Sequence, residues 1–580
     1  MIEIVFDLET NSKYIHEVNA VHSLVLYFRN TGKILSCADQ FGFRGIEQGL
    51  YNLRKADRII AHNGICYDLE VIKKLYGYDL NDKIYDTLNA SRLIWPNLMD
   101  IDMKKSKVPG DCKGKHKLEA WGHRLGEHKG SFGKSTDWKD WSVEMQSYCV
   151  QDVVVTNKLY ELILQKEADP RSTELEFEFQ KYIRFQVESG APFNTQAAKQ
   201  LAEDLQIEKA QIKLDAQKVF PPKIIEMKTK TKRIPFNIGS RDQLTNYLIS
   251  KKEWKPEVFS KTGKPTMSEE VLQSLPWEEA KLALKYFQVN NILSKLSEGK
   301  ESWLNHVVDG KIHGGVITNG AITGRCTHSK PNLAQVTSPR KYKGAEARQL
   351  FEAPEGYSFV GADASGLELR MLGHYLFPYD EGDYVKAILD SDIHMKTVEA
   401  AGLPTRDHAK TFIYAHNYGA GDAKLGSIVE PLSSVERQRD IGKKLKKEFR
   451  LKIVGLGDLI KNVELVAKSR GFLRGLDGRN LPIREVYRAL NTLLQGGGAI
   501  VMKQAGVRAH KKLTSLGYYK LGVRPALNVH DEMQFIVPDR LARMVGVILV
   551  ESIIYAGEDF NLKCPLDGEF KVGKTWGQTH

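Results

Sequence analysis

Long apolar runs are missing from this 580-residue chain. The longest stretch without a charged residue, Ala489 to Met502, has 14 residues and contains Asn, Thr, Gln and three Gly. That falls short of the roughly 18 apolar residues a membrane span needs, so no membrane association is expected. The N-terminus, Met1-Ile-Glu-Ile-Val-Phe-Asp7, has neither the basic start and apolar core of a signal peptide nor the Arg/Ser richness of a transit peptide, and a cytoplasmic location is expected. Cysteine is scarce as well. Cys37, Cys66, Cys112, Cys149, Cys326 and Cys564 are scattered with no Cys-x-x-Cys pair, so the spacing indicates neither a zinc site nor a disulfide framework, and reduced thiols are expected. Fixed-period repeats are absent, and so is the compositional bias of collagen or of disordered chains.

What is present is an ordinary globular composition, 42% apolar and 27% charged, on a chain long enough for about four domain equivalents. Lys and Arg number 84 against 72 Asp and Glu, for a formal charge of +12. The excess alone fits any soluble basic protein. Its placement is more informative: five basic residues against Glu226 between Lys223 and Arg233, and six against Glu448 between Lys443 and Lys452. Such clusters suit a polyanion, although either is also compatible with a solvated face.

The first segment alternates strand and helix patterns. Ile2–Phe6, Leu24–Phe28 and Arg58–His62 read as strands, with helices near Asp68–Tyr76 and Ser142–Leu164, which predicts an α/β domain. A charged Asp-Pro turn around Glu167–Arg171 marks a boundary. One helical stretch is predicted from about Glu174 to Val219. A basic linker follows, then a helix start at Ser240-Arg-Asp-Gln243 and mostly helical sequence to His306. Strand patterns return at Lys311–Ile317, Ser358–Ala362 and Asn528–Val537.

Asp7 and Glu9 stand two apart at the end of an apolar strand, and a strand's period of two places both carboxylates on one face. Downstream, His62-Asn63-Gly64 leads to Tyr67-Asp68, and Tyr148 shares a helix face with Asp152 at i and i+4. Four acids converging on two metal ions, with a tyrosine to orient water, is an arrangement for phosphodiester hydrolysis.

The C-terminal half carries a second constellation. Phe359-Val-Gly-Ala-Asp363-Ala-Ser-Gly-Leu-Glu368 reads as an apolar strand delivering Asp363, then a helix carrying Glu368. Asn528-Val-His530-Asp531-Glu532 reads as the turn of a hairpin. Acids flanked by apolar strand residues lie where burial makes them costly without a cation, which makes Asp363 and Asp531 a candidate metal-binding pair. Between them, Arg406, Lys410 and Tyr414 recur every four residues on one helix face, two cations and then a ring. A triphosphate followed by a base matches that order; so does a plain amphipathic helix. Gly496-Gly-Gly498 is costly inside a helix, by roughly 1 kcal/mol each relative to Ala, so something approaches that backbone closely; tight helix-on-helix packing is one answer.

The N-terminal motifs, over about 165 residues, resemble the Asp-Glu-Asp-Asp superfamily of 3′–5′ proofreading exonucleases in its tyrosine-bearing branch. The resemblance implies Asp7, Glu9, Asp68 and Asp152 as metal ligands and Tyr148 as the water-positioning residue. The later blocks, together with Thr323-Gly-Arg-Cys-Thr-His328, Leu403-Pro-Thr-Arg-Asp407, Gly475-Leu-Asp-Gly-Arg479 and Leu490-Asn-Thr-Leu-Leu-Gln495, resemble motifs A, B and C of the family A DNA polymerases, in the replicative branch of short-tailed phages of the T-seven type. That similarity spans nearly the whole chain. It implies an α/β plus α+β multidomain fold: an RNase H-like exonuclease domain over 1–166 and a right-hand polymerase domain over 167–580, with thumb about 195–306, fingers about 386–474, and palm about 307–385 and 475–580.

Under the same resemblance Asp363, Asp531 and the carbonyl side of Ala364 hold two Mg²⁺ ions, with Mn²⁺ as an alternative, and Glu532 is a supporting acid. His394, Arg406 and Lys410 hold the triphosphate, and Lys410 protonates the leaving group. Tyr414 stacks on the incoming nucleotide, and Glu368 guards its 2′ position. Arg325 and Arg479 contact DNA phosphates, Gln495 and His530 test base-pair shape in the minor groove, and DNA is what approaches the glycine triplet and the helix face of Asn491 and Gln495. Primer-template DNA and deoxynucleoside triphosphates are the implied ligands, and a replicative helicase-primase and a single-strand-binding protein the implied partners of a monomeric enzyme in the host cytoplasm. The phage relatives carry a thumb insertion that recruits host thioredoxin; here Phe220–Phe236 is only a short basic linker, so no thioredoxin clamp is expected. No 5′-nuclease domain is expected ahead of Asp7. Two rivals remain at this stage: a nuclease with a catalytically idle polymerase-like half, and a single-subunit RNA polymerase.

Overall fold

The computed structural model describes residues 1–104, 108–127, 137–226, 231–260, 262–390, 392–431 and 433–579. Near the N-terminus a five-stranded sheet runs in the order Lys33–Cys37, Val21–Phe28, Glu3–Thr10, Arg58–Ala61, Ile84–Asp86. Its central strand Glu3–Thr10 is antiparallel to Val21–Phe28 and parallel to Arg58–Ala61. Because both faces of that strand are apolar, both must be covered. Val5, Val25 and Ile60 pack under Cys149, Val153 and Tyr160 of helix Val143–Leu164. On the other face Ile4, Phe6 and Leu24 pack with Leu50, Leu53, Leu69 and Ile72 of helices Ile46–Lys55 and Asp68–Tyr76. The short strands Lys33–Cys37 and Ile84–Asp86 were not expected from the sequence.

The helical stretch expected over Glu174–Val219 is two helices, Pro170–Ser189 and Thr195–Val219. Gly190 at φ +66 and Pro192 break it, and Asn194 restarts it by accepting the Ala197 N–H at 2.9 Å. The Asp-Pro boundary is the start of the first of these, with Asp169 as its N-cap. In place of a linker between Phe220 and Phe236, a two-stranded ribbon pairs Lys223–Glu226 with Thr231–Ile234; Lys228 and Lys230 lie outside the described residues. Ser240 caps its helix as expected. The strand expected over Lys311–Ile317 is two short ones in separate sheets, Lys311–Ile312 and Gly315–Ile317.

A second sheet, entirely antiparallel, runs in the order Arg524–Val529, Glu532–Pro538, Tyr357–Ala364, Gly568–Gly573. Its apolar residues Val360, Ala362, Met533 and Phe535 belong to one large core with Leu549 and Ile553 of helix Ala542–Asp559 and Ile500 and Val501 of helix Ala489–Ser515. Helices Ile393–Ala401, Arg406–Asn417, Val435–Lys452 and Leu456–Arg470 attach to the same core. Helix Pro170–Ser189 joins the two halves: its Glu176 carbonyl accepts from Asn89 Nδ2 at 3.1 Å and its Gln180 Oε1 accepts from the Thr318 hydroxyl at 3.1 Å, while beside it Asn319 Nδ2 donates to the Arg92 carbonyl at 3.0 Å. Among the described residues no helix is long and apolar enough to cross a membrane.

Candidate active sites

Asp7 and Glu9 occupy the central strand, and Asp68 opens helix Asp68–Tyr76 beside it. Tyr148, Cys149 and Asp152 come from the long helix above the sheet. One ligand atom each of Asp7, Glu9 and Cys149 lie within 4.8 Å of one another, and the Cys149 thiol donates to the Asp7 carbonyl at 3.3 Å. Burial, then the charge of Asp7, holds the Asp68 carboxyl well above its ordinary 3.8. Burial, with Glu9 and Asp7 adding to it, raises the Tyr148 hydroxyl. Asp152 is buried one turn beyond Tyr148. Asp7 thus acts on both Asp68 and Tyr148, with Glu9 beside it and Asp152 one turn along the helix from Tyr148, and carboxylates crowded in this way are relieved by a cation.

Asp86 was not anticipated. Its buried carboxylate accepts the Asn63 N–H (3.2 Å), the Ile65 N–H (3.1 Å) and, as N-cap of Thr87–Ile94, the Leu88 and Asn89 N–H groups at 2.9 and 3.0 Å. It thus fixes the loop that delivers Asp68. No sequence spacing announces it.

In the second sheet Asp363 lies opposite Glu532 in register, and the Ala364 N–H donates to the Asp531 carbonyl at 3.2 Å. The two candidate acids therefore sit at adjoining strand ends, with His530 in left-handed backbone (φ +58) making the turn. Burial raises the Asp531 carboxyl above its usual range. Glu532 is more deeply buried, its Oε1 accepting from Trp576 Nε1 at 2.6 Å and Gln534 Nε2 at 2.5 Å; Trp576 was not foreseen.

Glu368, in the first turn of helix Leu367–Asp380, shares Oε1 between Arg325 Nη2 and the Tyr418 hydroxyl, both at 2.9 Å, while its Oε2 is buried without a partner. Arg325, expected on a phosphate, is thus ion-paired inside the cleft. Tyr418 was missed, although it stands one turn beyond Tyr414 and the same i, i+4 spacing would have found it. Arg325, Glu368, Gly498, Asn528, His530 and Asp531 line one cleft. Burial lowers the His530 imidazole, and Arg325 adds to it.

Helix Arg406–Asn417 faces these acids. The Tyr414 hydroxyl is raised by burial and then by Glu368, Asp531 and Asp363, which places all three acids within its electrostatic reach. Arg406 Nε pairs with Asp392 at 2.5 Å. His394, whose Nδ1 is buried without a partner, is lowered by burial and by Arg406 and Lys410. Arg406, Lys410 and the His394 imidazole therefore gather at one end of the helix, and the Tyr414 ring lies toward the acids.

Two expectations are corrected. Arg479 does not face solvent: it is buried, its Nη1 on Glu176 at 2.6 Å and its Nη2 on Asp477 at 2.6 Å, with Lys503 joining on Glu176. The surrounding carboxylates, not phosphate, take up its charge. The glycine triplet lies in helix Ala489–Ser515, and its close neighbours are protein. A Cβ on Gly496 would meet Leu481 at 2.5 Å, on Gly497 Met371 at 3.1 Å, and on Gly498 Leu367 at 3.2 Å. Asn491 and Gln495 are half-buried on that helix, and Asn491 Oδ1 is buried without a partner.

Two acid clusters on separate sheets suit metal-dependent chemistry at phosphate, and comparison with known proteins gives the class. Residues 208–578 match the model of DNA polymerase family A. The DNA-directed DNA polymerase of Enterobacteria phage T3 is 31% identical over 715 positions, covering both chains completely, and that of Escherichia phage T7 is equally similar. DNA polymerase I of Pseudomonas aeruginosa is 28% identical over 60% of this chain and 39% of its own length. A solved polymerase domain of Pol1 from M. smegmatis, in complex with DNA primer-template and dNTP, superposes with a TM-score of 0.77 at 19% identity, covering 100% of this chain and 96% of that one. The chain belongs to DNA polymerase family A, in the branch of the T7-like phage enzymes. It is a DNA-directed DNA polymerase of replication, an enzyme class that depends on divalent metal.

Proposed function

We propose that the chain extends a primer 3′-hydroxyl with deoxynucleoside triphosphates at Asp363 and Asp531, and removes mispaired 3′ ends at a separate site built on Asp7, Glu9, Asp68 and Asp152. The juxtaposition of Asp363 with Asp531, facing a helix whose cations and ring follow the order of a triphosphate and a base, carries this reading. Residues 1–166 are the exonuclease domain in this assignment, and thumb, palm and fingers follow at about 195–306, 307–385 with 475–580, and 386–474.

Both clusters offer oxygen donors in the main, the chemistry of hard cations, and two Mg²⁺ ions per site fit them. Held by these carboxylates, such ions would supply a lowered pKa for the attacking hydroxyl or water and neutralisation of phosphate charge. The chain's own residues do the rest. Arg406, Lys410 and His394 hold the triphosphate, with the Lys410 ammonium as proton donor to the departing pyrophosphate. Tyr414 stacks on the nucleotide. Glu368, fixed by Arg325 and Tyr418, fills the space a 2′-hydroxyl would need. Tyr148 orients the hydrolytic water from the opposite active site. Asn491, Gln495 and His530 face the nascent pair, while Arg479 holds the protein together.

Primer-template DNA is the proposed ligand of the cleft, and a helicase-primase and a single-strand-binding protein the proposed partners at a fork. Primer extension with deoxynucleotides, and separately with ribonucleotides, tests the assignment. Extension with deoxynucleotides alone is expected; extension with neither, or preferentially with ribonucleotides, contradicts it.

A further inference from the structure

Residues 108–127 form a hook in the N-terminal half. The 3₁₀ turn Gly110–Cys112 ends on a buried thiol, and Gly114, at φ +68, turns the chain toward helix Leu118–Leu125. Asp102, itself buried, clamps the hook from behind: it accepts the Gly114 N–H at 2.7 Å and both Nε and Nη2 of Arg124 at 3.1 and 2.7 Å. Arg124 also donates to the carbonyls of Lys115 (2.9 Å) and Cys112 (3.3 Å). The sulfur is thereby fixed over the helix. On that helix Glu119 and His123 are one turn apart and share a face. One sulfur, one carboxylate oxygen and one imidazole nitrogen from Cys112, Glu119 and His123 lie within 4.8 Å of one another.

Tetrahedral zinc, bonded at roughly 2.0–2.3 Å, holds its donors about 3.3–3.8 Å apart. Side-chain rotation of about an ångström by the two half-exposed helix residues closes that gap, while the hydrogen-bonded hook keeps the thiol in place. Glu119 also pairs with Lys117, a partly exposed ion pair of a kind that costs little to break.

We infer that Cys112, Glu119 and His123 form a binding site for a zinc-class divalent cation, with water in the fourth position. Sulfur and imidazole nitrogen select a borderline-soft ion over Mg²⁺, whereas the carboxylate clusters of the two active sites favour the reverse. Binding exchanges the thiol proton, released to solvent, for the metal–sulfur bond, and uses the neutral imidazole. The spacing from Cys112 to Glu119 and His123 matches no cysteine-pair pattern, so the site is invisible in the sequence.

The full chain, stripped of metal and held in excess Mg²⁺, is titrated with Co²⁺ while thiolate-to-cobalt charge-transfer absorption is followed in the near ultraviolet. One equivalent with that absorption is expected, displaced by Zn²⁺. Cys112→Ser loses the absorption. His123→Ala weakens binding by about tenfold or more. Cys149→Ser, whose thiol adjoins Asp7, retains both. Absence of the band in the parent protein, its persistence in Cys112→Ser, wild-type affinity in His123→Ala, or loss of the band in Cys149→Ser each overturns the assignment. Should Cys112→Ser fail to fold, Glu119→Gln, a change at a half-exposed residue, serves instead: weakened Co²⁺ binding is expected, and wild-type affinity contradicts the site.

Discussion

Glu368 shares one carboxylate oxygen between a guanidinium and a phenol, so its position depends on both partners. A hydrogen bond to a charged group contributes about 1.5–3 kcal/mol, equivalent to roughly one to two orders of magnitude if it is realised fully in selectivity. Glu368→Ala is expected to raise ribonucleotide incorporation relative to deoxynucleotide, and Tyr418→Phe to do so in the same direction but less. Ratios of kcat/KM for single-nucleotide addition measure it, and unchanged ratios in both variants contradict the role. At this scale the sequence was informative where chemistry follows from spacing. Asp7 with Glu9, Tyr148 with Asp152, and Arg406 with Lys410 and Tyr414 are brought together as their periods implied. It was silent about Asp86 and Trp576, which act across long separations, and it misread Arg479, because a basic residue in a turn carries no mark of being buried.

Elements were legible where one pattern persisted. The strands around Asp7 and Asp363 and the hairpin at Asp531 stand within a few residues of their expected bounds. Short pieces were not: Ile84–Asp86 has three residues, too few for an alternation to show, and the break at Gly190 hides between two helical patterns. The Arg479 turn is tied to helices Pro170–Ser189 and Ala489–Ser515 by a fully buried set of four charges. Removing one member of such a set costs about 3–5 kcal/mol, since the others remain desolvated. Arg479→Ala should therefore lower the urea midpoint by that equivalent, and a variant as stable as the parent would show that the network does not hold the fold. The ribbon at Lys223–Ile234 exposes Lys232 and Arg233. If it lies along duplex, replacing both with Ala should reduce the slope of log affinity against log salt by roughly 2, and an unchanged slope removes the ribbon from the DNA path.

Across the whole molecule, buried imidazoles set the response to acid. Burial, with Arg450 adding to it, pushes His416 down to about 3, and Arg450 Nε donates to its Nε2 at 3.2 Å, a bond that needs the neutral ring. The unfolded chain takes up this proton below its ordinary 6.5, the folded chain only near 3. The contribution is therefore complete above pH 6.5 and is lost as pH falls toward 3, by about 1.4 kcal/mol per pH unit. His116, His328 and His510 are displaced in the same direction. Unfolding at pH 7.5 and 5.5 should show a loss of stability that shrinks by about 1.4 kcal/mol in His416→Gln; an equal loss in both proteins contradicts the assignment.

In the proposed function one chain carries two chemically independent sites. Primer extension and 3′-end degradation, measured on the same labelled primer-template for Asp531→Asn and for Asp7→Ala with Glu9→Ala, test it most directly. The first variant should lose extension and keep degradation, and the second should do the opposite. Loss of both activities in either well-folded variant would contradict the account.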